Sequence, residues 1–486
     1  MYIKRTLSLA LGSAFLLLSN NVVLAQDDCV ECHKKENPKL IKEYEASLHA
    51  VNKKKKTTCV DCHGKAHQTA EDHKQATLPT AETCGECHKL QLQDLRSSKH
   101  NLAWFGMKSQ IAWHGQPGAI VHLGCSGCHK IGQKGLMGIR QGVQGEVQYD
   151  GGEEESHYRY GNTQCDACHT RHSFSKSEAQ SPRTCSNCHR GSRHPQWETY
   201  VSSKHGIIWE NEGHQNVDGR APTCQTCHLP KTLKVVKDKN GKVVKNKDGS
   251  DKTYLSTHGV VTSWGFWGLR FPTKYNVLAL IEKAPALEQN LKDLAKLLPD
   301  DKYIDLDDDS DWTLDRLRIW QALGLLDDGF QPTKRFIEIV SQGEAMRRPE
   351  PFNESRSDMK GICNECHGGP YVNKHFKASD AVIKASDAKV AQAISAVQAL
   401  YKDGILEKPN GWEYAPDVLR YYEAKTKIEQ ELYQLILGYR QHAFKGAFHT
   451  SQDYMHWYGW APLNSSVNLI LEEAKHLREE HKAKHR

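Results

Sequence analysis

The sequence predicts a mainly α-helical fold with little β-sheet, and three observations carry that expectation. Seven Cys-x-x-Cys-His phrases fall between residues 29 and 228, about one per 29 residues, a density that leaves little room for extended sheet. From about residue 378 onward, apolar side chains recur at helical spacing. Apolar residues make up only 38% of the 486 and aromatic ones 8%. That is a modest stock for a chain too long for one simple core, so short helices need a large apolar object to pack around.

The cysteines identify that object. All sixteen fall into eight motifs: Cys29-Cys32-His33, Cys59-Cys62-His63, Cys84-Cys87-His88, Cys125-Cys128-His129, Cys165-Cys168-His169, Cys185-Cys188-His189, Cys224-Cys227-His228 and Cys363-Cys366-His367. In each, the two thiols suit thioether bonds to the vinyl groups of one porphyrin, and the following histidine is held below the iron. A disulfide framework would not demand a histidine after every second cysteine. Zinc sites would pair their half-sites at a regular spacing, and none appears. The chain is therefore read as a multihaem cytochrome c with eight covalently bound c-type haems, a haem-packed N-terminal part and long C-terminal helices. Electron transfer is its minimum function.

Lys4 and Arg5, the apolar run Leu7 to Leu18 and Val23-Leu24-Ala25 before Gln26 read as a signal peptide over residues 1–25. The mature protein is expected to be soluble and periplasmic. A net charge of +6 is small for this length and suggests no nucleic-acid partner. Beyond the signal, the chain divides into a seven-haem region (26–230), an insertion with the eighth motif (231–377) and a helical C-terminal region (378–486).

Of 27 histidines, eight belong to motifs. His476, His481 and His485 lie in a charged tail and are expected in solvent. Two local patterns mark distal iron ligands among the rest. His67, His172 and His194 closely follow the motif histidines His63, His169 and His189. His49, His100 and His205 each end a Ser-x-His phrase. Weaker candidates are His73, His114, His122, His157, His214, His375, His442, His449 and His456. Counting does not reveal which iron keeps an open face.

Residues 231–253 are lysine-rich, and Val235-Val236 and Val243-Val244 flank Asn240-Gly241, which predicts an exposed hairpin over 233–246. It reads as a solvated excursion or as a docking element for an acidic redox partner. The acidic run Asp305 to Asp311 reads as a solvated loop and helix start, since an EF-hand's glycine-containing spacing is missing. Ala381, Val382, Ala385, Ala388, Val390, Ala393, Ile394, Val397 and Leu400 mark one long helix. Pro409-Asn410-Gly411 break it, and further helices are expected from about Pro416 to Leu437 and from about Leu463 onward. The passage Asp453-Tyr454-Met455-His456-Trp457-Tyr458-Gly459-Trp460 is unusually dense in aromatics, as if packing on a haem edge.

Seven close motifs, a long insertion, a solitary eighth motif and a Tyr-x-His-Trp-Tyr-Gly phrase resemble the octahaem hydroxylamine oxidoreductase family over nearly the whole mature chain. The resemblance implies that the fourth haem, on Cys125, Cys128 and His129, is catalytic and lacks a distal histidine. In oxidising members it is crosslinked to a tyrosine of a neighbouring subunit, which implies Tyr454 or Tyr458 and a homotrimer. The family's distal Asp-His pair corresponds to Thr257-His258, so His258 is the implied base, and the missing aspartate weighs against efficient proton removal. The implied activity is oxidation of hydroxylamine, with electrons leaving to a small redox protein. The alternatives are the same site reducing nitrite to hydroxylamine or ammonia, and a non-enzymatic haem wire. Nitrite reductases of the octahaem type that replace one motif histidine by lysine fit poorly, because all eight motifs here end in histidine.

Overall fold

The computed structural model describes residues 26–52, 56–67, 69, 71–72, 75–77, 79–98, 100, 116–120, 124, 126–129, 164–212, 219–236, 238, 242–262, 264, 268–337 and 349–485. The signal peptide, Cys125, the Asn240-Gly241 turn and His73, His114, His122, His157 and His214 lie outside these residues. The chain divides into two compact units, Met1–Pro79 and Thr80–Arg486.

In the first unit, short helices carry the first two motifs. Gln26–Glu36 holds Cys29-Cys32-His33, and Cys59–His63 holds the second motif. The second helix starts at a box in which both the N–H and the hydroxyl of Thr58 donate to the Asp61 carboxylate, each at 2.7 Å. Between them, Pro38–Ala46 buries Ile41 and Tyr44, and the Tyr44 hydroxyl donates to the Thr57 carbonyl at 2.7 Å.

The second unit opens with helices of similar length, each built around a motif: Ala81–Gly85, Ser126–His129, Pro182–Ser186 and Cys224–His228. Thr223 and Thr226 cap the last of these reciprocally, with backbone-to-hydroxyl bonds of 3.1 and 3.3 Å. Such caps let a five-residue helix form where nucleation alone would not.

In the lysine-rich segment the described residues carry two pairings, the expected one and a further one. The named strands are β1 (Thr232–Val235) and β2 (Thr253–Ser256), antiparallel, with Thr232 opposite Ser256 and Val235 opposite Thr253. The expected pairing appears among the described residues as Val244 N–H to the Val236 carbonyl and Asp238 N–H to the Lys242 carbonyl, both at 2.8 Å. The partner strand was missed because Lys252-Thr253-Tyr254-Leu255 follows acidic and glycine residues that read as loop.

The remainder is helical around Gly369–Lys402, a 34-residue helix that packs against Ser310–Ala322, Arg440–Phe448 and Ala461–Lys484. Val390, Ala393, Ile394, Val397 and Leu400 are fully buried, as the periodicity predicts. The first half differs: Ala381 and Ala388 are exposed, while Asp380, Ile383, Ser386 and Asp387 are buried. The physical reason is that this face carries ion pairs. Arg356 donates twice to Asp380, and Arg440 Nε donates to Asp387 at 2.6 Å, where Trp312 Nε1 also donates at 2.8 Å. A search for apolar repeats cannot see a stripe of buried aspartates.

The acidic run is likewise corrected. Asp309 caps the helix Ser310–Ala322 through the Trp312 N–H at 2.8 Å, as a helix start requires. Asp308, however, is buried between Arg270 at 3.0 Å and Arg316 at 2.5 Å. Arg270 is wholly enclosed, its guanidinium 4.2 Å from the Trp312 ring centre and 4.7 Å from that of Tyr303. Among the described residues no helix is long and apolar enough to cross a membrane.

Candidate haem sites

Six motif histidines face a second histidine at nearly one separation. Ring centres lie 6.0 Å apart for His33 and His67, 6.3 Å for His129 and His194, and 6.1 Å for His169 and His258. They lie 6.2 Å apart for His189 and His100, 6.3 Å for His228 and His449, and 6.1 Å for His367 and His205. A metal–imidazole bond of about 2.0–2.1 Å at each end, plus about 1.2 Å from nitrogen to ring centre, puts two ring centres about 6.4 Å apart across one iron. The residues therefore fit a haem iron bound on both faces. Among the described residues no three His, Cys, Asp or Glu side chains converge as a bare metal site.

The rings are also oriented for ligation. His228 donates from Nδ1 to the Val261 carbonyl at 2.9 Å, and His449 to the Lys445 carbonyl at 2.8 Å. His63 donates to the Thr77 carbonyl at 3.0 Å, His67 to the Asp72 carboxylate at 2.8 Å, and His258 Nδ1 meets the Thr257 hydroxyl at 2.8 Å. An occupied Nδ1 leaves Nε2 as the ligating nitrogen and fixes the tautomer. Burial also keeps the rings neutral: it pushes His189 and His194 down to about 3 and His449 down to about 4.

Cysteines of different motifs lie side by side, which orders the sites in space. Cys84 lies against Cys165, Cys185 against Cys224, and Cys128 against Cys188. Cys168 neighbours Cys185, and Cys227 neighbours Cys363 and Cys366. In the second unit the motifs thus run third, fifth, sixth, seventh, eighth, with the fourth beside the sixth. In the first unit, Cys59 neighbours Cys29.

Of the six favoured distal histidines, His67, His100, His194 and His205 stand across from motif histidines. His49 lies in the helix Leu48–Val51, its carbonyl accepting from Thr57 N–H at 2.9 Å, and the His172 ring lies 6.3 Å from Phe174. His449 and His258 complete two further pairs. The signal for His449 was faint, since it lies 221 positions beyond His228. His442 is committed elsewhere: both ring nitrogens meet carbonyls, Tyr458 at 3.0 Å and Ser192 at 2.6 Å. It pins the aromatic passage to the loop that carries His194.

That passage forms a π-helical stretch, Met455–Trp460. Tyr454 and Tyr458 stack with ring centres 4.8 Å apart, and Tyr458 and Trp457 are 55% and 63% exposed. His258 does not meet them; it stands across from His169. Its backbone N–H and that of Thr257 both donate to Asp94 Oδ2 at 3.2 Å, where the hydroxyls of Tyr254 and Ser256 also donate at 2.5 and 2.8 Å to the same carboxylate.

Residues 55–243 match the model of the family described as seven times multi-haem cytochrome CxxCH. This segment of the chain is a multihaem cytochrome c region. Over 93% of its length the chain is 24% identical to a probable nitrite reductase-hydroxylamine oxidoreductase fusion protein of Kuenenia stuttgartiensis, and it spans about half (52%) of that relative. Its fold matches that of a reducing HAO-like protein complex of Kuenenia stuttgartiensis, with a TM-score of 0.59 at 19% identity over 94% of this chain and 86% of that one. A hypothetical multiheme protein matches with a TM-score of 0.58 at 18% identity, over 94% of this chain and 96% of that chain. The matched segment implies covalently bound c-type haem, a group whose chemistry is electron transfer.

Proposed function

We propose that this cytochrome is a secreted, periplasmic oxidoreductase of small nitrogen compounds that oxidises hydroxylamine and passes the electrons along its haem sites to a small redox protein. The observation that carries the reading is the set of facing histidine pairs strung along neighbouring cysteine motifs of the second unit, which gives electrons a route through that unit. Bound haem would supply one-electron chemistry and, at an iron with a displaceable face, a seat for a small nitrogen ligand.

The resemblance puts substrate at the fourth motif, Cys125, Cys128 and His129. His194 stands at ligand distance from that histidine, so on this reading His194 is the group that yields to substrate. His258 is better assigned as the second ligand of the fifth site than as a base, because its ring faces His169 and its Nδ1 is occupied by Thr257. The outward Tyr458, stacked on the half-buried Tyr454, favours contact with a neighbouring copy, and with it the homotrimer and a tyrosine crosslink. A groove of about 300 Å³ beside them, lined by Ala381, Val382, Ala385, Met455, His456 and Trp460, fits such a contact.

A second reading runs the same site toward nitrite reduction, and the likeness to a probable nitrite reductase-hydroxylamine oxidoreductase fusion protein supports it. Carbon monoxide titration of the reduced holoprotein tests both. One carbon-monoxide-sensitive haem per chain is the expected result, with hydroxylamine-dependent haem reduction marking the oxidative direction. If no exogenous ligand binds at any centre, the protein is a conduit alone.

A further inference from the structure

We infer that the outward face of β1 and β2, with the exposed Lys231, Lys242, Lys245, Lys247 and Lys252 beside it, docks an acidic one-electron redox protein over the site held by His169 and His258. The inference rests on the reading that this chain moves electrons, and it names the partner's chemistry and the port.

Charge is the first observation. Residues 231–253 hold eight lysines against three aspartates, so this short excursion carries +5 of the whole chain's +6. Lys231, Lys242, Lys245, Lys247 and Lys252 are exposed, with Lys245 paired to Asp251. A surface so polarised raises the encounter rate with an acidic protein and repels a basic one.

The second observation is apolar. Leu233 and Leu255 are directly opposite each other across the strands and are 72% and 56% exposed. A cross-strand leucine pair facing outward is not needed for the core, since the opposite face of β2 buries Tyr254 and Ser256. A small apolar centre within a basic rim suits the weak, short-lived contacts of electron-transfer partners.

The third observation ties this face to a haem site. Tyr254 and Ser256 of β2 donate to Asp94, Lys234 of β1 lies 3.7 Å from it, and the same carboxylate receives the N–H of His258. His258 is two residues beyond β2, and Asp94 is six beyond His88. The docking face and a ligand of the fifth site are thus one short, cross-braced segment. In the transfer itself, one electron leaves the reduced cytochrome and reduces the partner's one-electron centre. No bond forms and no proton moves.

Stopped-flow oxidation of the reduced holoprotein tests this, with acidic plastocyanin as acceptor, basic mitochondrial cytochrome c as the counter-probe and a neutral quinone as control. In Lys231→Glu/Lys242→Glu/Lys247→Glu/Lys252→Glu, the second-order rate with plastocyanin should fall about tenfold or more at low salt and lose its salt dependence. Leu233→Ser/Leu255→Ser should slow the same reaction while keeping the salt dependence, and the quinone rates should not change in either variant. Unchanged plastocyanin rates would overturn the inference, as would faster transfer to cytochrome c that neither variant affects. Loss of binding to phosphatidylglycerol vesicles with plastocyanin rates intact would assign the face to lipid. A smaller assembly in sedimentation, again with rates intact, would assign it to a second copy, and either result overturns the inference. These rates need no substrate, so they stand or fall separately from the carbon monoxide titration.

Discussion

His228 and His449 face each other with ring centres 6.3 Å apart, and each is fastened at Nδ1 to a backbone carbonyl, Val261 for one and Lys445 for the other. The seventh motif is thereby closed by a residue from the far end of the chain. Replacing His449 by methionine keeps a ligand but removes imidazole donation, so one midpoint potential should rise by on the order of 0.1–0.3 V, within the roughly 0.8 V that axial ligands span. Potentiometric titration reads this directly. His449→Gly should add one carbon-monoxide-binding haem per chain relative to the parent.

Asp94 is the bolt of the sheet. Burial pushes its carboxyl up, but the hydroxyls of Tyr254 and Ser256, the His258 N–H and Lys234 outweigh burial and hold it below the usual carboxylate range. Its stabilising effect is therefore complete above the ordinary aspartate value of about 3.9 and is lost as pH falls through the lower folded value. Asp94→Ala strands several donors in a closed site and should cost about 2–4 kcal/mol, with a change in the low-spin spectrum as His258 loosens. Thermal unfolding at neutral pH, followed in the haem Soret band, measures both.

The ion pair of Arg440 with Asp387 is almost wholly enclosed, each residue being 1% exposed. Arg440→Leu leaves the carboxylate with the Trp312 N–H and without its ion-pair partner, and should destabilise the second unit by about 3–5 kcal/mol. Adding Asp387→Leu should restore much of that loss. Denaturant unfolding of the two variants gives the comparison, and equal instability of both would contradict the ion-pair account.

Lys445 puts a titratable charge among the haem sites. Burial, and secondarily Arg440, push its ammonium down to about 7. Its Nζ donates to the Arg193 carbonyl and to Gln441 Oε1, both at 3.1 Å, beside His194. A cation there disfavours loss of electrons, so nearby potentials should rise as pH falls through about 7. Lys445→Gln should flatten that dependence, which potentiometry on either side of neutrality would record.

Gly459 sets the approach of the aromatic passage to the helix Arg440–Phe448, since a Cβ there would sit 2.3 Å from the Ala443 nitrogen. Gly459→Ala should push Tyr458 and Trp457 out of register. On the proposed reading, the amount of tyrosine-crosslinked haem after denaturation would drop, and mass spectrometry would quantify it.

The motifs were legible because their chemistry is local: two thiols and an imidazole within five residues need no tertiary context. His67 and His194 were legible for a related reason, lying four or five positions beyond a motif histidine. The pairing of His194 with His129 was not, because it depends on how short helices stack. The family resemblance implies His258 as a base, whereas the structure sets it against His169, far back in the chain. Helical periodicity found Val390 to Leu400 but misjudged Ala381 and Ala388, where the inward face is charged. Asp308 looked solvated for the same reason: the arginines that enclose it, Arg270 and Arg316, are not adjacent in any pattern that hydropathy displays.

The interleaving of the histidine pairs also imposes a schedule on maturation. His33 meets its partner after 34 residues, but His169 must wait for residue 258, His205 for residue 367 and His228 for residue 449. As the polypeptide is delivered from its N-terminus, several irons would remain accessible from one side until the last segment arrives. Such long-range closure makes folding slow. Completion of the C-terminal helices is then the event that seals the cofactors against stray ligands.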